Sequence, residues 1–303
     1  MYHRRIMNNI SLKPWSVESK AIDLIQEVAQ LFVEQALCFG HGTDNPLDEA
    51  KTLVFFILDV DYLDAEESSS KRVSHEEFEG IMELVNQRIY DRQPLAYLTQ
   101  EAFFCGHKFY VDERVLVPRS PMAELIENQF LPWIEASSVQ CVLDVATGSG
   151  CLAIAIAKSF PGVEVVASDI SEGALEVANI NIDRLFVQEQ VTLVASDLFE
   201  NIEGDFDVIV SNPPYVSPKS YQDLPAEYLQ EPELALVAED SGLDFITRIL
   251  HDAPPFLKDN GILVIEMGEA ATTAERTFPY PFKWVELEKG GEGIAVIEAK
   301  HLK

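Results

Sequence analysis

Basic side chains are scarce in this chain. Its 303 residues hold 22 Lys and Arg against 51 Asp and Glu, a formal net charge of -29. A field of that sign repels phosphate backbones, so no direct sequence-specific nucleic-acid binding is expected. The same charge favours a cationic partner such as a basic protein, and it also serves plain solubility. Cysteine is scarce too: Cys38, Cys105, Cys141 and Cys151 form no Cys-x-x-Cys pair, and the six histidines form no His-x-x-x-His pair. Neither a structural zinc site nor a disulfide framework is expected, no metal is assigned, and a reducing cytoplasm suits the pattern. Long hydrophobic runs are missing. "LVFFILDV" (Leu53–Val60) is far shorter than the ~20 residues of a membrane span, so it reads as a core helix and no membrane partner is expected. "MYHRRIMNNISLKPW" carries charge but no apolar signal-peptide core. There is no internal repeat and no low-complexity tract.

What is present is enough apolar material for a sizeable core, 47% of residues, on a length that suggests about two domains. Residues 16–92 read as helices. Ile22, Leu24, Ile25, Val28, Leu31 and Phe32 follow a period near 3.6. Asn45 before Pro46 reads as an N-cap with proline at the first helical position, and Asp48 and Glu49 suit the first turn. A further helix is expected over Ser74–Tyr90, after a solvated linker, "DAEESSSKR". This predicts a small helical domain, residues 1–93. Residues 94–118 alternate and carry aromatics around Gly106, which predicts a β-hairpin linking the two halves. From 119 to 303, after a helix with Ala123, Leu125 and Ile126 on its apolar side, strands alternate with helices. "CVLDVA", "VEVVASDI", "VTLVASDLF", "FDVIV", "GILVIEMG" and "GIAVIEA" are the strands, with helices over Cys151–Phe160 and Glu172–Asn181. The fold class is therefore α/β, a mostly parallel, doubly wound sheet.

In such sheets ligands bind at the carboxyl ends of the strands. "VLDVATGSG" (Val142–Gly150) is a glycine turn between a strand and a helix, where the backbone can approach a ligand. Asp169 ends the next strand 21 positions after Gly148, near the ~20 expected for a carboxylate on a ribose. Asp197 ends the third strand, and its carboxylate or the neighbouring backbone suits an adenine edge. Gly148, Gly150 and Ala153 also fit G-x-G-x-x-A, a dinucleotide pattern. Asp144 beside the turn would repel a pyrophosphate and suits a cationic cofactor such as S-adenosylmethionine; alternatively it caps the turn.

The fourth strand leaves through "SNPPY", Ser211–Tyr215. Neither proline can extend a ladder, and Pro213 forces Asn212 to be extended, so the stretch is a stiff elbow. An amide nitrogen is a poor nucleophile, because its lone pair is delocalised. Accepting both of its N–H bonds holds it and enriches it. Asn212 offers a side-chain carbonyl, Pro213 a backbone carbonyl, and neither proline has an N–H to compete. Tyr215 offers a flat face for a planar amide. "NPPY" downstream of "DVATGSG" resembles the amino-methyltransferases that use S-adenosylmethionine. "RQPLAYLTQEAFFCGHKFYVDERVLVPRSPMAELI" looks like the HemK-type protein glutamine N-methyltransferases, a resemblance running through "EKGGEGIAVIEA". It implies a class I Rossmann-like methyltransferase domain behind a helical substrate domain. Asp144, Thr147, Gly148, Gly150, Asp169, Asp197 and Asn212 become the expected cofactor contacts. Asn212, Pro213, Pro214 and Tyr215 become the substrate contacts, with Asn212, Pro213 and Tyr215 carrying the chemistry. Ala146 departs from the family, which often has glycine there.

The family has two branches, acting on release factors or on the third protein of the large ribosomal subunit. "PRSPMAEL" (Pro118–Leu125) departs from the release-factor pattern Pro-Arg-Pro-Glu-Thr-Glu, and "FGHGTDNPLDEA" (Phe39–Ala50) is similar to the ribosomal-protein branch. The acidic charge agrees with a basic ribosomal protein as substrate. "EPELAL" (Glu231–Leu236) is implied by the resemblance to help close the cleft. A nucleic-acid amino-methyltransferase is the first rival, and it would need base flipping and a basic channel. A nicotinamide dehydrogenase gives "NPPY" no role. A non-catalytic assembly factor would leave the cofactor carboxylates without purpose.

Overall fold

The computed structural model describes residues 14, 16, 19–60 and 70–302. The charged N-terminal stretch, apart from residue 14, and residues 64–69 of the linker lie outside them. The chain divides into two compact units: residues up to Thr99 together with Pro225–Gln230, and Gln100–Leu224 together with the residues from Glu231 onward. This differs from a division at 93 and 118, and the return of residues 225–230 to the helical unit has a chemical cause described below.

In the helical unit, α1 (Ala21–Glu34), α2 (Pro46–Leu58) and α3 (His75–Asn86) bury one shared core. The α1 stripe is inside except Ile22, which is 36% exposed. Asn45 caps α2, its side chain accepting from the Asp48 N–H at 2.9 Å. Ser74 and Glu77 form a reciprocal capping box on α3. The expected helix to Tyr90 ends at Asn86 and continues as a π-turn, Gln87–Asp91. That turn carries Arg88, which is 1% exposed. Arg88 donates to Glu49 at 2.6 Å, to Glu227 at 3.3 Å and to the Cys38 carbonyl at 2.7 Å. Glu227 also accepts from Arg92 at 3.2 Å and from the Cys38 N–H at 3.0 Å. A buried carboxylate with this many partners is hard to withdraw, which ties residues 225–230 to the helices.

The expected hairpin over 94–118 is much shorter. Leu95–Thr99 is a single helical turn, α4. Only β1 (Ala102–Phe104) and β2 (His107–Phe109) pair, joined through Cys105 and Gly106, both at positive φ. That conformation matches the twist of a tight hairpin. The ladder stops because the Tyr110 N–H donates to the Asn181 side chain at 2.7 Å instead.

The second unit is built on a seven-stranded sheet, order β5-β4-β3-β6-β7-β9-β8. The strands are β3 (Cys141–Val145), β4 (Glu164–Asp169), β5 (Val191–Ala195), β6 (Phe206–Ser211), β7 (Leu257–Glu266), β8 (Lys283–Trp284) and β9 (Ile294–Glu298). β3 to β7 are parallel; β9 runs antiparallel to both β7 and β8. Successive residues go to opposite faces. Val142, Val208, Val210, Ile262 and Val264 join the core under α5 (Met122–Glu127) and α6 (Cys151–Ser159). Leu143, Val145, Ile209, Leu263 and Ile265 join the core under α8 (Asp244–Asp252) and α9 (Ala271–Thr277). Helices on both faces explain why these strands read as continuous apolar runs. Between β4 and β5 runs α7 (Glu172–Arg184). Among the described residues no helix is long and apolar enough to cross a membrane.

Candidate active site

After β3 the chain builds β4 and β5 on one side, then returns to place β6 on the other side of β3. Strand order therefore reverses at β3, and a crevice opens at the carboxyl ends of β3 and β6. A cavity occupies it. Its wall includes Ala146–Ser149 after β3, Asp169–Ser171 after β4, Ser196–Leu198 after β5, and Asn212 and Pro214 after β6. Side chains and turns hold these strand ends in register. Ser211 Oγ donates to the Val145 carbonyl at 2.8 Å, the Thr147 N–H to the Ser168 carbonyl at 2.9 Å, and the Ser196 N–H to the Asp169 carbonyl at 3.0 Å.

Gly148, at φ +56°, presents its Cα side to open space, so a Cβ there would occupy the cavity. Gly150, at φ +79°, starts α6, and a Cβ there would press the Ala178 side chain at 3.2 Å. Ala146 lines the cavity in the left-handed region, φ +61°. That costs an alanine about 1–2 kcal/mol, a cost that glycine would not carry.

The structure separates the candidate cofactor residues. Asp169 sits on the cavity wall, and its carboxylate accepts from the Gly148 N–H at 2.8 Å and the Ser171 N–H at 2.9 Å. Burial raises its pKa, and these N–H bonds oppose the rise. Asp197 also lines the cavity, but its carboxylate pairs with Arg248 at 2.7 Å, its carbonyl accepts from the Glu200 N–H at 3.1 Å and the Leu198 carbonyl from Ser196 Oγ at 2.9 Å, leaving the N–H groups of Asp197 and Leu198 for a ligand. Asp144 does not line the cavity. It is fully buried under the turn, where Oδ2 accepts from Thr147 Oγ1 at 2.5 Å and from the Ala153 N–H at 3.1 Å. The turn-capping reading of Asp144 is the one this geometry has. Among the described residues its Oδ1 has no hydrogen-bond partner, and burial pushes the carboxyl up to about 7.

The elbow is divided as well. Asn212 and Pro214 line the cavity; Pro213 and Tyr215 are not on its wall. Among the described residues the Asn212 side chain has no hydrogen-bond partner, so its amide is available. The Tyr215 hydroxyl instead donates to Glu266 at 3.0 Å. The elbow is stapled from outside: the Val216 N–H donates to the Leu236 carbonyl and the Ala238 N–H to the Val216 carbonyl, both at 2.9 Å. This brings "EPELAL" to the site, where Pro232, Leu234 and Ala235 line the cavity. Glu231, buried, receives both Arg119 nitrogens at 2.7 Å and the Val117 N–H at 3.0 Å, which fixes the 117–120 segment as another part of the wall.

Comparison with known proteins decides the family. The model of the Methyltransferase small domain matches residues 127–238. The chain is 42% identical over 283 residues to the ribosomal protein uL3 glutamine methyltransferases of Neisseria meningitidis serogroups B and A, covering 91% of this chain and 91% of each relative. The chain belongs to this family. Among solved structures it is similar to a methyltransferase from Pyrococcus furiosus, at 21% identity over 63% of this chain and 87% of that one, with a TM-score of 0.45. A likeness at that level decides nothing further.

Two further residues, Asn181 and Glu266, support the walls of this cavity. Asn181 donates to the Ser149 carbonyl at 2.9 Å and the Tyr110 carbonyl at 3.0 Å, so it holds the glycine turn from behind. Glu266 ends β7 as a polar residue after an apolar run. That is the signal that marked Asp144, Asp169 and Asn212, and it was available for Glu266 too.

Proposed function

We propose that this chain transfers the methyl group of S-adenosylmethionine to the side-chain amide nitrogen of a glutamine in the large-subunit ribosomal protein uL3. The observation that carries the reading is Asn212, an unpartnered side-chain amide on the wall of the cavity at the β3–β6 switch point, in a chain of this family. The wall fits the cofactor: open space over Gly148 admits its backbone-hugging portion, and Asp169 keeps lone pairs free for ribose hydroxyls after accepting two N–H bonds. The strip at Asp197 and Leu198 offers backbone N–H groups to an acceptor on an adenine edge. When bound, S-adenosylmethionine supplies an electrophilic methyl group on a sulfonium. Asn212 Oδ1 accepts one N–H of the substrate amide, which fixes the nitrogen and raises its electron density, while Pro213, off the cavity wall, holds Asn212 in its extended conformation rather than contacting the amide. Tyr215 acts on the elbow from behind rather than as a stacking face. The prolines keep the acceptor preorganised, which is where much of a rate enhancement arises. The product proton leaves to water. The net charge of -29 favours a basic protein as substrate, and four cysteines without paired spacing suit the reducing cytoplasm as the place to meet it.

The test supplies purified chain and labelled S-adenosylmethionine with uL3, a release factor and ribosomal RNA, and maps the label by mass spectrometry. Label on a uL3 glutamine is expected. Label on the release factor overturns the substrate, and label only on RNA overturns the acceptor chemistry. Asn212→Ala should lower kcat by about 100-fold or more while cofactor Kd stays within about threefold, the signature of an interaction made to the reacting group.

A further inference from the structure

Glu266 is a buried carboxylate, 5% exposed, and the chemistry above gives it no part. Its two oxygens go to two different pieces of the site. Oε2 accepts from Ser120 Oγ at 2.6 Å, and Oε1 accepts from the Tyr215 hydroxyl at 3.0 Å. Ser120 lies on the cavity wall, in the segment that Glu231 holds through Arg119. Tyr215 closes the elbow that begins with Asn212. Burial pushes the Glu266 carboxyl up, and the two hydroxyls and the charge of Arg119 pull it back.

The tyrosine has little room to do anything else. A Cβ on Gly268 would lie 2.4 Å from the Tyr215 ring, and a Cβ on Gly242 would lie 2.3 Å from its carbonyl oxygen. Bare backbone thus packs on the ring and the main chain, and the hydroxyl reaches Glu266. An ionised carboxylate is acceptor-only, so it takes a donor on each oxygen at once. A glutamine has one acceptor oxygen, and its NH2 would force one hydroxyl to turn and accept.

We propose that Glu266 is a positioning residue for methyl transfer: it ties Ser120 to Tyr215 and so sets, through the stiff Pro213-Pro214 link, where the Asn212 amide stands. This rests on the reading of Asn212 as the acceptor of the substrate amide. A displacement of this kind costs rate rather than cofactor affinity, since the acceptor serves the reacting nitrogen.

The experiment compares Glu266→Gln, Tyr215→Phe and their combination, measuring kcat, cofactor Kd by calorimetry and thermal stability. Tyr215→Phe keeps the ring and removes only the hydroxyl. Each single variant should lose about tenfold in kcat with cofactor Kd within about twofold, and the double should lose no more than the worse single, because both cut one link. A merely structural glutamate would lower stability and leave the kcat of folded protein unchanged; that result overturns the proposal, as does additive loss. If Glu266→Gln does not fold, Ser120→Ala with Tyr215→Phe removes both donors and leaves the carboxylate. An unchanged kcat in that pair overturns the proposal equally. Asn212→Ala separates the two failures. Activity retained there removes the amide reading itself, whereas activity lost there but kept in Glu266→Gln removes only the role of Glu266.

Discussion

Asp144 gives the most quantitative prediction, because its burial is complete and its carboxyl is pushed up to about 7 from an ordinary 3.8. The cause is desolvation, opposed by the Thr147 hydroxyl and the Ala153 N–H and reinforced by the charge of Asp169. A raised acid binds more protons in the native state than in the unfolded one between those two values. Stability from this group is therefore full below about pH 4 and is lost as pH rises through about 7. A rise of that size corresponds to about 4 kcal/mol in all, and to about 2–3 kcal/mol between pH 5 and pH 8. Asp144→Asn keeps an acceptor oxygen for Thr147 and Ala153 but cannot ionise. Its NH2 takes the place of the unpartnered Oδ1, which adds an offset independent of pH. Urea unfolding of both proteins across pH 5–8 isolates the slope, since every other group cancels in the difference. The variant should gain on the parent by about 2–3 kcal/mol over that range. Parallel curves would falsify the assignment of a raised, desolvated carboxyl.

Two further outcomes are expected. Arg88→Met leaves Glu49 and Glu227 buried without their shared cation, so denaturant unfolding should show a loss of about 3–5 kcal/mol; a loss below about 1 kcal/mol would mean that water reaches the carboxylates. Asp169→Ala removes the acceptor of the Gly148 and Ser171 N–H groups and the expected ribose contact. It should weaken S-adenosylmethionine binding in calorimetry by more than it changes substrate affinity, and an unchanged cofactor Kd would remove Asp169 from the cofactor site.

The sequence alone determined the elements that depend on near neighbours. Apolar runs ending in Asp144, Asp169 and Asn212 mark strand ends, because a sheet covered on both faces needs continuous apolar strands and releases polar residues only where they stop. The glycine turn and the proline elbow follow from φ restrictions that act within two residues. The cap at Asn45 is equally local. Only the tertiary structure decided which of these groups a ligand can meet. Asp144 turned under the loop to cap it, and Arg248 claimed the Asp197 carboxylate from 51 positions away. Glu266 met Ser120 across 146 positions, and Arg88 met Glu227 across 139. β9 is legible as a strand from its apolar run, but its antiparallel direction is not, and the two-residue edge strand β8 has little pattern of its own. Chain periodicity records which side of an element is apolar. It carries no record of which distant charge will lie beside it, because that pairing is made only when packing closes the long loops between them.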